Sequence, residues 1–229
     1  MEAIILAGGL GTRLKTAVPD LPKCLAPVNG RPFLAILLDM LAGQGFERVI
    51  LALGYQAGMI MTHFGDAYAG MRLVYSVEEA PLGTGGALRL ALPLLDGEHA
   101  FVLNGDTYLR LEAAEIEGRW QARRLPLVVV REVEDTGRFG RVEVEAERIT
   151  GFLEKRGGGP GLVNAGCYVV SKTLLDDFAP GVKFSFETDF LERGVLSGLD
   201  LDYFVTRSSF IDIGVPEDYL RARTELVKL

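Results

Sequence analysis

At 229 residues, 48% of them apolar and 24% charged, the chain has the size of one large α/β domain or two small ones and lacks the bias of a disordered segment. A net charge of −7, from 24 basic and 31 acidic residues, argues against a general nucleic-acid or membrane-surface binder, so an anionic ligand must be met by a few local cations. Cys24 and Cys167 lie far apart without metal-ligand spacing, no leader-like stretch precedes the first apolar run, and the apolar segment Phe33 to Leu41 is short and broken by Asp39; a reducing cytoplasm is the expected setting.

Short apolar runs then alternate with helix-like segments. Ala3 to Leu6, Val49 to Leu53, Leu73 to Val77, Phe101 to Leu103 and Leu127 to Val130 predict strands, while Pro32 to Leu41, Ala57 to Phe64, Gly85 to Leu92 and Glu112 to Arg123 predict helices. Continuously apolar strands are buried on both faces, and helices between them imply a largely parallel sheet covered on both sides. The expected class is therefore α/β: a Rossmann-like, doubly wound mixed sheet in three α/β/α layers. The helix at Pro32 has proline at its start and Gly43 and Gly45 beyond its end. After about residue 131 the texture changes. Gly140, the alternating "RVEVE" of Arg141 to Glu145 and the turn "RGGGPG" at Arg156 to Gly161 predict antiparallel strands added to the sheet in the second half. A strand at Cys167 to Val170, a helix near Thr188 to Leu196, a strand near Leu201 to Val205 and a last helix from Pro216 complete the chain, with no repeat and no linker dividing it.

In a doubly wound sheet, ligands bind beyond the carboxyl ends of the strands. The first loop so placed runs from Leu6 and Ala7 through Gly8, Gly9, Gly11 and Thr12 to Arg13. Its glycines let backbone N–H groups approach an anion with no side chain between, although glycines also make tight turns and nothing more. Neither G-x-x-x-x-G-K-[ST] nor G-x-G-x-x-G occurs, and Leu53-Gly54-Tyr55 supplies no acid after the second strand, so a dehydrogenase reading fails. Arg13 and Lys23 tip the balance toward a ligand. Two cations flanking a glycine loop in an acidic chain resemble a polyphosphate clamp, arginine acting by its fork and lysine as a point charge, with Pro19 and Pro22 stiffening the return path.

Together with Pro22-Lys23 and Ala26-Pro27-Val28, the stretch Gly8 to Leu14 resembles the signature of the sugar-1-phosphate nucleotidyltransferases, the nucleotide-sugar pyrophosphorylases. Lys15-Thr16 and Cys24 stand where that family usually carries prolines. Further stretches match in order over nearly the whole chain. "PLGTGGA" (Pro81 to Ala87) resembles the second nucleotide-binding loop, and "LNGDTYL" (Leu103 to Leu109) a strand end with a metal-binding aspartate. "GFLEK" (Gly151 to Lys155), "NAGCYV" (Asn164 to Val169), "FSFETDFL" (Phe184 to Leu191) and "FIDIGVPEDY" (Phe210 to Tyr219) resemble sugar-phosphate and second metal segments.

The resemblance implies attack by a sugar-1-phosphate oxygen on the α-phosphorus of a nucleoside triphosphate, with loss of pyrophosphate. The nucleophile is already an anion and needs no general base, which suits a chain whose two histidines, His63 and His99, lie outside the motifs. It further implies catalytic roles for Arg13, Lys23 and Asp106, and nucleotide contacts from Leu6, Ala7, Gly8, Gly9, Gly11, Thr12, Arg13, Lys23, Glu78, Gly83, Thr84 and Asn104. Sugar-phosphate contacts would come from Gly140, Glu154, Lys155, Asn164 and Glu187, and one Mg²⁺ would sit between Asp106 and Asp212. Taken alone, each aspartate is equally a cap or turn residue and Lys155 a surface lysine. Under this reading residues 1–229 form a single domain, 1–131 mainly nucleotide-binding and 132–229 mainly sugar-phosphate-binding and not independent.

Glu78 bears on the base. Pyrimidine-transferring relatives often carry glutamine three residues before the corresponding proline, whereas a carboxylate only accepts, which suits the adjacent N1–H and amino donors of guanine. GTP is thus the expected nucleotide. The short chain and the stretches "VPDLPK", "PLGTGGALR" and "FIDIGVPEDY" resemble D-glycero-D-manno-heptose 1-phosphate guanylyltransferases more than mannose 1-phosphate guanylyltransferases, with N-acetylmuramate 1-phosphate uridylyltransferases the nearest rival. A nucleotide-sugar sensor would not need Arg13, Lys23, Asp106 and Asp212 together. The expected state is a monomer or homodimer with no nucleic-acid or membrane partner.

Overall fold

A computed structural model of the chain describes residues 1–9, 11, 14, 18, 21–137, 140–153 and 158–226. In chain order it runs β1 (Glu2–Leu6), a short hairpin of β2 (Pro27–Val28) and β3 (Arg31–Pro32), α1 (Phe33–Gly43), β4 (Arg48–Leu53), α2 (Ala57–Phe64), β5 (Ala67–Tyr68), β6 (Met71–Val77), α3 (Gly83–Ala91) and β7 (His99–Asn104). The second half holds β8 (Thr107–Leu109), α4 (Ala113–Arg123), β9 (Leu127–Val133), β10 (Arg141–Glu145), β11 (Arg148–Leu153), β12 (Gly161–Ser171), a π-helix (Phe186–Glu192) continuing into α5 (Arg193–Leu196), β13 (Asp202–Thr206), β14 (Phe210–Asp212) and α6 (Pro216–Glu225).

The strands β6, β4, β1 and β7 are parallel neighbours, with Leu6 beside both Ala52 and Asn104. Their apolar runs alternate between two cores: Ala3 and Ile5 of β1 join α1, α2, α4 and α6 on one face, while Ile4 joins α3 and the π-helix on the other. This is the expected three-layer arrangement. The chain passes from β1 to β4 to β6 through helices on the first face, then crosses back through α3 on the opposite face to enter β7 on the far side of β1. The carboxyl ends of β1 and β7 therefore flank the point where winding reverses, where an open α/β sheet leaves a crevice.

The mixed half is built around β12. Its eleven residues pair antiparallel with β9 along one edge, and with β10 and then β7 along the other, so one strand links both halves of a ten-stranded sheet. The register against β9 shifts between Asn164 and Cys167, with Gly166 at φ +67° inside the bulge.

Two expectations differ in detail, and two short strands were not expected. The helix read from Pro32 begins at Phe33, and Gly43 is its last residue rather than a stop signal. The helix expected near Thr188 starts earlier and opens as a π-helix; at its start Thr84 Oγ1 accepts the Phe186 N–H (2.9 Å) and Ser185 Oγ caps that of Thr188 (3.2 Å). The strands β8 and β14, three residues each, carry too few residues for a pattern; among the described residues they pair only with each other. Among the described residues no helix is long and apolar enough to cross a membrane.

Candidate active site

The parallel registers bring four loops to one edge. Ala7 N–H bonds Ala52 O (2.8 Å), Gly105 N–H bonds Leu6 O (2.9 Å) and Glu78 N–H bonds Leu53 O (2.9 Å), so the residues just beyond β1, β4, β6 and β7 are stitched side by side. Between them opens a cavity of about 450 Å³. Leu6, Ala7, Gly8, Gly9, Gly11, Lys23, Glu78, Gly83, Thr84, Asn104 and Asp106 line it, as do Cys24, Pro81, Ala87, Gly105 and Lys183. Thr12 and Arg13, expected in the same loop, lie outside the described residues.

The glycines have separate steric reasons. Gly11 has φ +59°, and a Cβ there would lie 2.9 Å from Lys23 Cβ. Gly8 and Gly54 leave a slot for Glu78: a Cβ on either would come within 2.9 and 2.5 Å of its Oε1. Glu78 Oε2 meanwhile accepts the Leu82 N–H at 3.0 Å. Burial pushes the Glu78 carboxyl above its ordinary value, and the Leu82 N–H offsets this in part. In the "PLGTGGA" loop the glycines receive another segment: a Cβ on Gly85 would strike the Phe184 ring at 2.2 Å, and one on Gly86 would meet Val182 O at 2.6 Å.

Two carboxylates and a lysine come together beside the cavity, whose lining includes Lys23 and Asp106 but not Asp212. Asp106 follows β7, and the β8–β14 pairing sets Asp212 opposite Thr107, with Ile213 N–H donating to Asp106 O at 2.9 Å. Lys23 Nζ lies 2.5 Å from Asp106 Oδ2, and Gly214 N–H donates to Asp212 Oδ1 at 2.6 Å. Burial first, and then the Asp106 charge, push the Asp212 carboxyl above its ordinary value. Two hard oxygen donors facing one ammonium leave a local excess of negative charge, which suits a divalent cation; Mg²⁺ takes few protein ligands and fills its shell with water and phosphate oxygens. Among the described residues no set of three or more His, Cys, Asp or Glu side chains gathers.

The sugar-side residues divide. Glu187 bonds the Thr84 hydroxyl (2.5 Å), and Asn164 Nδ2 donates to Tyr168 OH (2.9 Å), which faces Glu187 Oε1 at 3.5 Å. Glu187, Asn164 and Gly140 do not themselves line the cavity; Glu187 reaches its edge through Thr84, whereas Gly140 has no such link among the described residues. The Gly140 φ of +80° and the 2.8 Å between a Cβ there and Leu153 O account for glycine as a turn residue before β10. Glu154 and Lys155 lie outside the described residues.

Sequence reading missed Lys183 and Tyr168. Lys183 directly precedes the "FSFETDFL" stretch and lines the cavity, where no bond or ion pair engages it among the described residues. Tyr168 lies inside "NAGCYV" and is 1% exposed; a buried tyrosine needs a partner for its hydroxyl, and that was the available signal. His99 pairs with Glu117 and stacks on Trp120 at the amino end of β7, away from the site. Burial raises the Cys24 thiol to about 12, so this cavity-lining cysteine is an inert thiol.

Crevices at the winding reversal of an α/β sheet take nucleotides in many enzymes of this architecture, and Gly8, Gly9, Lys23 and Asp106 line this one. The family model for nucleotidyl transferases matches residues 2–228, and the chain belongs to that family. It is 39% identical over 227 residues to the D-glycero-alpha-D-manno-heptose 1-phosphate guanylyltransferase of Aneurinibacillus thermoaerophilus, covering 99% of this chain and 98% of that one. It is 41% identical to the enzyme of the same name from Campylobacter jejuni, over 96% of this chain and 97% of that one. The crystal structure of HddC from Yersinia pseudotuberculosis complexed with GMP-PN superposes with a TM-score of 0.87 at 36% identity, over 98% of this chain and 99% of that one.

Proposed function

We propose that the chain transfers GMP from GTP to D-glycero-D-manno-heptose 1-phosphate, releasing pyrophosphate and forming a GDP-sugar for surface glycan synthesis in the cytoplasm. The observation that carries this reading is the convergence of Lys23, Asp106 and Asp212 beside the cavity that Glu78 lines, in a chain similar over its full length to guanylyltransferases of that sugar. The sugar-phosphate oxygen attacks the α-phosphorus of GTP, a new P–O bond forms, and the bond to the β-phosphate bridging oxygen breaks. The nucleophile arrives ionised, so the protein contributes position and charge.

The backbone at Gly8, Gly9 and Gly11 meets the triphosphate. Lys23, tethered by Asp106, stands over the phosphate that changes partners, and Arg13 holds the leaving pyrophosphate by its place in the motif. Asp106 and Asp212 would hold Mg²⁺, which when bound supplies Lewis-acid neutralisation of phosphate oxygens. Glu78 accepts from the guanine N1–H and amino group, while Asn164, Glu187, Glu154 and Lys155 take the sugar phosphate. Asn104 and Gly83 complete the nucleotide side.

Pyrophosphate release measured over four nucleoside triphosphates and a panel of sugar 1-phosphates tests this. The expected best pair is GTP with the heptose 1-phosphate. Preference for UTP with N-acetylmuramate 1-phosphate, or for mannose 1-phosphate, overturns the substrate assignment; tight GTP binding without release by any pair makes the chain a sensor.

A further inference from the structure

The geometry points to Thr84 as a positioning residue for the sugar site: its hydroxyl holds one oxygen of Glu187 and so ties sugar binding to the nucleotide-side loop. This rests on the reading of Glu187 as an acceptor for sugar hydroxyls. Thr84 begins α3 and lines the nucleotide cavity, yet its hydroxyl is occupied elsewhere. It donates to Glu187 Oε2 at 2.5 Å and accepts the Phe186 N–H at 2.9 Å. A hydroxyl has one proton, and this one is committed.

The two Glu187 oxygens are unequal. Oε2 accepts from Thr84 and also from Ser185 Oγ at 3.1 Å, whereas among the described residues Oε1 has only the Tyr168 hydroxyl, at 3.5 Å. One oxygen is locked, and the other retains acceptor capacity for a ligand. Tyr168 is itself held by Asn164 Nδ2 at 2.9 Å, so the fixed carboxylate and the Asn164 side chain belong to one network.

The backbone makes the tie rigid. Phe184 N–H donates to Leu82 O and Gly85 N–H to Phe184 O, both at 3.0 Å, so residues 82–85 and 184–187 are joined by backbone and side chain alike. Any side chain at Gly83 would meet Phe184 O at 2.5 Å, which closes the gap between them. A shift of the nucleotide-side loop carries Glu187 with it.

Steady-state kinetics of Thr84→Val and Thr84→Ser with GTP and the heptose 1-phosphate test the proposal. Valine keeps the shape of the side chain and removes the hydroxyl. Losing a hydrogen bond to a charged group predicts a KM for the sugar phosphate raised about tenfold. The KM for GTP stays within about twofold, and serine restores the sugar KM. Thr84→Val added to Glu187→Gln raises the sugar KM no further, because both act through the same carboxylate. If the valine variant does not fold, Thr84→Ala gives the same split.

A GTP KM raised as much as the sugar KM overturns the proposal by making Thr84 a nucleotide ligand; so does an unchanged sugar KM, or a serine variant as impaired as valine. An unmutated enzyme that releases no pyrophosphate with any pair overturns the proposed function instead. Calorimetric binding of the sugar phosphate then judges Thr84: about tenfold weaker binding in the valine variant supports it, and unchanged or absent binding overturns it.

Discussion

Glu78 occupies a slot that exists only because Gly8 and Gly54 lack side chains, and its burial sets two effects against each other. A carboxyl raised in the folded state costs nothing below the ordinary glutamate pKa, where it is protonated folded and unfolded alike; the cost reaches full size as pH rises past the raised value. Function runs the other way, since only the ionised form accepts both guanine donors. Glu78→Gln, which can still accept the Leu82 N–H, is therefore expected to melt at the same or a higher temperature at pH 8 while losing its preference for GTP over UTP. In the unmodified enzyme kcat/KM for GTP should decline as pH falls through the raised value, and the glutamine variant should lack that limb. Retained GTP preference in the variant would sink the assignment. Lys23 makes a simpler test: Lys23→Ala should lower kcat on the order of 10²–10³-fold, the usual loss for a preorganised charge contact, and should also lower the melting temperature, since Asp106 loses its partner beside Asp212.

At the scale of the element, α3 shows packing overriding propensity. Alanine for glycine in a helix interior normally stabilises by about 1 kcal/mol. At Gly85 the added methyl would strike the Phe184 ring, which stacks on Phe178 at 4.2 Å and is 8% exposed, so the ring has little room to yield. Overpacking of that kind costs about 1–3 kcal/mol. Gly118, on the exposed side of α4, has nothing within 4 Å of its Cβ position. Thermal melts should thus move in opposite directions: Gly118→Ala up by about 2–4 °C, and Gly85→Ala down by at least as much. A rise for Gly85→Ala would show that the segment at residues 182–184 yields instead. The sequence placed Gly85 in a motif but could not show its packing role, because its partner Phe184 lies about a hundred residues away.

Over the whole molecule, β12 carries the connection between the halves. It pairs with β7 of the parallel half and with β9 and β10 of the mixed half, and the cores on both sheet faces draw on strands from both halves. Heat should therefore unfold the chain in a single calorimetric transition, shifted upward as one by saturating GTP. Two separated transitions, with only the first half responding to GTP, would mean that residues 1–131 fold on their own.

The strands, the helices between them and the layered class were legible because burial on two faces writes continuous apolar runs into a strand and a covered helix writes its own period. The loop from Leu6 to Gly11, Lys23, Glu78 and Asp106 were legible because strand carboxyl ends share one edge, so a motif placed after a strand has a known destination. The meeting of Asp106 with Asp212 depends on two three-residue strands too short to show a pattern, and on a pairing between segments about a hundred residues apart. The commitment of the Thr84 hydroxyl to Glu187 and the placing of Lys183 were decided by tertiary structure alone. Local periodicity records which face of an element is buried, but a hydrogen bond or a steric contact between distant segments exists only once the chain is folded.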